Sequence, residues 1–180
     1  MDWLFEALSR VDWTTVLVAM VTGLVAAGGN TWASRSLIRQ ERLSVRAALI
    51  AEVSALLDLV ALRGYVSGLR EYEHLADDAN RTGSPRLFTY DVDIRDNFNQ
   101  VYQANLNRLG VLHVEEAGQI VRFYQLLDAV RLDVSPGGKL SRGTEDAEDF
   151  KEAADLLELA VVIGTRLKNK RVRGGLAKGR

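Results

Sequence analysis

The chain has 180 residues, 47% of them hydrophobic and 26% charged, with a net charge of −1. That size holds one compact domain and an additional segment, not two ordinary domains, and the composition excludes a wholly lipid-embedded or a disordered chain. The absence of cysteine excludes disulfides and thiolate metal sites and fits a reducing compartment.

The near-zero net charge conceals an asymmetry. Six arginines stand between Arg35 and Arg70 against Glu41, Glu52 and Asp58. From Glu71 to Ala160 there are 18 acidic and nine basic residues, and the last twenty residues hold seven basic and no acidic ones. Only Pro85 and Pro136 interrupt a sequence rich in Ala, Leu and Val, so the expected class is all-α: an N-terminal transmembrane helix continuing into a long helix, plus a bundle of about four helices. The expected domain organisation is an interfacial N-terminus over 1–12, a span over 13–34, a cytoplasmic helical domain over 35–168 and a basic tail over 169–180.

Asp2, Glu6 and Asp12 outweigh Arg10 in the first twelve residues, the reverse of a secretory signal, so an uncleaved N-terminus is expected. Trp3, Leu4, Phe5 and Leu8 suit a short helix in the outer interface. From Trp13 to Ser34 no residue is charged, a run of 22. As a helix it reaches roughly 33 Å, enough for the hydrocarbon core of a bilayer. Trp13 and Trp32 stand near its ends, at headgroup level. The competing reading is a buried helix of a soluble bundle. Arg35, Arg39, Arg42 and Arg46 follow the run, which orients the C-terminal side toward the cytoplasm of a bacterial inner membrane, N-out and C-in. Ala19, Gly23 and Ala27 recur every four residues and Asn30 lies about one turn beyond. Small residues at that spacing, with an amide nearby, are a candidate interface for a homo-oligomer.

Ala47 to Leu62 has 13 apolar residues in 16, interrupted by Glu52, Ser54 and Asp58. Its length and carboxylates favour a core helix over a second span. The first helix is expected to continue without a break to about Ala76. A long loop over 77–93 follows, centred on Gly83, Ser84 and Pro85, with Leu87, Phe88 and Tyr90 tacking it down. Ile94, Phe98, Val101, Tyr102, Leu106 and Leu109 form one stripe of a helix over 94–109, with Gly110 as its C-cap. The amides Asn97, Asn99, Gln100, Gln103, Asn105 and Asn107 are read as its wet face. Glu115 and Glu116 open the next helix, whose buried face is Ala117, Ile120, Val121, Tyr124 and Leu127. After a Gly/Pro turn over 135–143, the last helix starts near Thr144. Its stripe is Phe150, Ala154, Leu157, Val161, Gly164 and Leu167.

The stretch Phe98-Asn-Gln-Val-Tyr-Gln-Ala-Asn-Leu-Asn-Arg-Leu-Gly-Val-Leu112, with Val121-Arg-Phe-Tyr124 after it, resembles a pattern in uncharacterised small bacterial single-pass membrane proteins. Those have one N-terminal span, a basic juxtamembrane helix and a helical cytoplasmic domain. About 30 residues carry recognisable detail, and their commoner form has Pro where this chain has His113 or Val114. The resemblance implies topology and fold and no activity.

Glu71 and His74 have the i, i+3 spacing of a helical metal pair, but the second such pair that a di-metal bundle needs is missing from the sequence. No serine sits in a nucleophile elbow, and Pro136-Gly-Gly-Lys-Leu-Ser141 lacks the phosphate-loop spacing. The chain is therefore read as a non-enzyme with no cofactor. Arg35, Arg39, Arg42, Lys168, Lys170, Arg171 and Arg173 are candidate contacts for anionic lipid headgroups. Nucleic acid is the weaker reading, since the tail lacks stacking aromatics. The expected function is a membrane-anchored helical scaffold or adaptor acting on an unknown protein partner. The alternative is an oligomeric membrane-perturbing protein, holin-like or a defence effector.

Overall fold

Gly64 stops the first helix. It adopts φ 63° and ψ 31°, left-handed values that a glycine takes without a Cβ clash, and it separates α1 (Trp13–Arg63) from α2 (Tyr65–Arg81). The expected unbroken helix to Ala76 is thus two helices, the second ending five residues later at Arg81. The structure is a computed structural model that describes the backbone over residues 13–176 and side chains over 35–170. Among residues with described side chains, no helix is long and apolar enough to cross a membrane. The expected span over 13–34, its residues Ala19, Gly23, Ala27 and Asn30, and the tail arginines Arg171 and Arg173 lie outside those residues. So does the whole of 1–12. The contact pattern divides the chain between Leu43 and Ser44, within α1.

Beyond α2 come α3 (Gln100–Asn105), a 3-10 segment (Leu106–Val111), α4 (Val114–Val134), α5 (Lys139–Arg142) and α6 (Ala147–Leu176). The described residues form no strand; Phe88 and Thr144 make one isolated antiparallel bridge. The all-α expectation holds. Sequence periodicity located α4 and α6 well, because each keeps a 3.6-residue apolar period over many turns. α6 packs against both α2 and α4, and it runs past Lys168 to Leu176, so residues expected as a tail are in part helical.

Two apolar clusters form the core. The first joins Val45, Leu49, Ile50 and Val53 of α1 to Ile120, Phe123 and Tyr124 of α4 and to Ala160, Ile163 and Leu167 of α6. The stretch 47–62, weighed above as a second span, therefore supplies a core helix. The second cluster joins Leu69 and Ala76 of α2 to Phe88, Val130, Val134, Leu140, Phe150, Ala154 and Leu157. Each fully buried Leu, Ile or Phe contributes about 1.5–3 kcal/mol relative to exposure. Gly164 lets α6 approach closely, since a Cβ there would lie 2.8 Å from Phe123 Cε2 and 3.0 Å from Leu57 Cδ2.

The segment between α2 and α3 is an extended strap. Its backbone is tied to α5 and to the end of α4: Tyr90 N–H donates to the Leu140 carbonyl and Val92 N–H to that of Val134, each at 2.9 Å. Phe88 is buried, with the Arg86 guanidinium 4.7 Å above its ring, and Tyr90 packs edge-on against Tyr72. Leu87 was expected to anchor the loop as well but is 65% exposed. Alternation along an extended segment turns successive side chains to opposite sides, so Phe88 and Tyr90 face in and Leu87 faces out.

Ion pairs fasten the helices to one another. Arg70 of α2 bonds Glu158 and Asp155 of α6 as well as Glu73, and those three carboxylates, Glu158 foremost, push its guanidinium pKa up. Arg46 of α1 holds Glu116 of α4 at 2.6 Å. Glu115 and Glu116 lie in the first turn of α4 as expected of carboxylates at the positive end of the helix dipole, and Glu116 is in addition buried and paired. At the start of α6, Asp149 accepts from Lys139 and Thr144. Burial raises the Asp149 carboxyl, but those two hydrogen bonds and the Lys139 charge outweigh it and leave the pKa below the usual carboxylate range. Nearby Asp133 goes the other way: burial and the charges of Glu152 and Asp149 push it up against the pull of Lys139.

Candidate functional site

The helix expected over 94–109 is shorter and differently supported. Residues 96–99 form turns, α3 holds six residues, and the chain then tightens into the 3-10 segment. Gly110 lies inside that segment and is not among the glycines with positive φ, so it is no left-handed cap. The N-terminus of α3 has no side-chain cap from its neighbour Asn99. Its cap comes from α1. Glu52 Oε1 accepts the Val101 N–H at 2.8 Å, and Oε2 accepts the Tyr102 N–H at 2.8 Å and the Tyr124 hydroxyl at 2.7 Å. A carboxylate suits this position because a helix N-terminus presents unpaired N–H groups and a positive dipole end. Tyr102 and Tyr124 stack with ring centroids 4.0 Å apart, and Phe123 meets Tyr124 edge-on. Burial, then the Glu52 hydrogen bond, pushes the Tyr124 hydroxyl pKa well up, so it serves as a donor and not as a base.

Asn97, Gln100, Gln103 and Asn107 are exposed as expected of a wet face, whereas Asn99 and Asn105 are buried. Asn105 turns its amide back onto the Val101 carbonyl at 2.8 Å. Asn99, Gln103, Tyr102, Gln125 and Arg131 border a shallow hollow.

Under the strap lies an apolar cavity that leaves about 80 Å³ open to the centre of a water molecule. Leu56, Val60, Leu69, Val92, Phe98 and Leu127 contribute to its wall. Arg131 is its one charged lining residue, and it is already paired with Asp128 at 2.9 Å and Asp96 at 3.1 Å. Water inside a cavity needs several polar partners, and this wall offers few.

The described surface carries one further feature. On α1 the residues Ala47, Ala51, Ala55, Leu59 and Leu62 are all exposed, with Leu62 at 85%. They fall on one side of the helix, opposite the buried Val45, Leu49 and Val53.

Of the candidate lipid-contacting residues, Arg35, Arg39 and Lys170 are exposed and Arg42 is half-buried. Lys168 is engaged within the fold, 3.4 Å from Asp58. Glu71 and His74 are both exposed on α2, and no group of three or more His, Asp or Glu side chains among the described residues could hold a metal.

The geometry defines an all-helical body with a carboxylate-capped inner helix and an apolar outer face on its first helix. No family model matches the chain, and neither a curated protein nor a solved structure does. Sequence reasoning missed Glu52, which it took only as an interruption of an apolar run. The available signal was an acid at a position whose helical neighbours i−3 and i+1 are core residues.

Proposed function

We propose that this chain is a membrane-anchored helical scaffold, held by residues 13–34 with its helical body on the cytoplasmic side of a bacterial inner membrane. The observation that carries the reading is the backbone of 13–34. It is helical, it contains no charged residue, and it ends on the exposed Arg35 and Arg39. A run of that length matches the bilayer core, and arginines just beyond it favour the cytoplasmic side. Basic residues near an anionic leaflet contribute about 1 kcal/mol each, and Arg35, Arg39 and Lys170 are free to do so by exposure. A scaffolding role is supported by the apolar outer face of α1, which the fold leaves open to a protein partner.

The test is extraction. The full chain expressed in a bacterium is expected to stay in the membrane pellet through an alkaline carbonate wash and to leave it only with detergent. Release of most of the protein by carbonate would overturn the anchor.

A further inference from the structure

We infer that the apolar cavity under the strap is a binding site for a small neutral ligand carrying a slender apolar group, such as a short alkyl chain. The helices supply its floor, where Leu69 of α2, Val130 of α4 and Leu157 of α6 are buried. The strap supplies its roof. Asp91, Asp93 and Arg95 are exposed, and the alternate residues Val92 and Ile94, with Phe98 beyond them, line the cavity and are half-buried. Charge sets the class of ligand. Arg131, the one charged residue of the wall, is matched by Asp128 and Asp96, so no free cation is left for an anionic ligand. A cationic ligand would lose its hydration against a wall that contains no carboxylate. Size narrows the class further. A cavity of about 150 Å³ lined by Leu, Ile and Phe stays dry and takes up benzene or xenon. The 80 Å³ here suits a thinner group. An unfilled void deprives its lining of dispersion contacts on one side, and a short alkyl chain restores them without asking for a hydrogen bond. The roof also offers a way in. None of the backbone N–H groups from 93 to 97 donates to a backbone carbonyl, so that stretch can swing outward without breaking a ladder. Its ion pair to the wall is that of Asp96 with Arg131.

The chain has no cysteine, so a single introduced thiol reports access without background. Three variants of the full-length chain separate the cases: Val130→Cys in the cavity wall, Val53→Cys buried in the first core cluster away from the cavity, and Val114→Cys on the surface at 89% exposure. Val134→Cys, also in the cavity wall, repeats the reading at a second position. Each is treated with two thiol-specific methanethiosulfonates, the neutral butyl reagent and the anionic sulfonatoethyl reagent, and labelling is followed by mass spectrometry. Val114→Cys is expected to take both reagents and Val53→Cys to resist both. Val130→Cys is expected to take the butyl group many-fold faster than Val53→Cys does and to exclude the sulfonatoethyl group. Opening by unfolding would admit both reagents, so the selectivity distinguishes a cavity from a loose fold. In buffer saturated with pentane, butyl labelling of Val130→Cys is expected to fall several-fold while that of Val114→Cys is unchanged. Butyl rates in the cavity wall no higher than at Val53→Cys would overturn the inference, as would equal entry of the charged reagent, or pentane without effect. The labelling is run on open membrane fragments, or on the soluble chain should carbonate release it, so failure of the anchor leaves this test intact.

Discussion

Glu52→Ala is expected to destabilise the helical body by about 3–5 kcal/mol, from three hydrogen bonds to one ionised carboxylate lost at once. The Val101 and Tyr102 N–H groups and the Tyr124 hydroxyl would be left without their acceptor beside the first core cluster. α3, at six residues, is too short to persist without that cap, since isolated helices of this length do not hold in water. The loss is a large share of the roughly 5–15 kcal/mol that stabilises a typical domain. Tyr124→Phe removes one of the three bonds and should cost only about 1 kcal/mol. Urea unfolding followed by circular dichroism separates the two. Equal effects from both variants would show that the tyrosine, not the helix cap, carries the stability.

Gly138→Ala is expected to cost about 2–4 kcal/mol, more than Gly137→Ala, although Gly137 is the glycine with positive φ, at 87°. A Cβ at Gly138 would collide with the carbonyl oxygens of Leu132 and Asp133, the backbone at the end of α4. No side-chain rotation relieves a backbone collision. The shift would pass into α5, whose Leu140 is buried and receives the Tyr90 N–H of the strap. Gly137 has open space around its missing Cβ, so alanine there meets only the left-handed penalty of about 1 kcal/mol. Thermal melts of the two variants check the order; Gly137→Ala as the more damaging change would refute it.

What was legible in the sequence was whatever repeats over several turns. α4 and α6 declared themselves by apolar residues every three to four positions, and the charge bias at the start of α6 agreed with its dipole. What stayed hidden depended on single residues or on distant partners. Gly64 sits in a continuous helical pattern, where a lone glycine is often tolerated, and only its positive φ reveals the break. The cap on α3 comes from a residue 49 positions away, so no local window contains it. The wet-face reading of the amides held for Asn97, Gln100, Gln103 and Asn107 and failed for Asn99 and Asn105 because α3 is short and is flanked by turns and a 3-10 segment. Asn105 follows the buried Tyr102 by three positions and so shares its inner side, and Asn99 lies in the turns before α3. The outer face of α1 shows the reverse case. The excess of apolar residues over 47–62 was visible, and the fold buries one side of it and leaves Ala51, Ala55 and Leu62 outside.

The anchored arrangement is tested most directly by paired reporters on the full chain in a bacterium. A C-terminal fluorescent protein that matures only in the cytoplasm is expected to glow, and a C-terminal alkaline phosphatase, active only in the periplasm, is expected to stay silent. The same phosphatase fused to the N-terminus is expected to be active. An active phosphatase at the C-terminus would contradict the account.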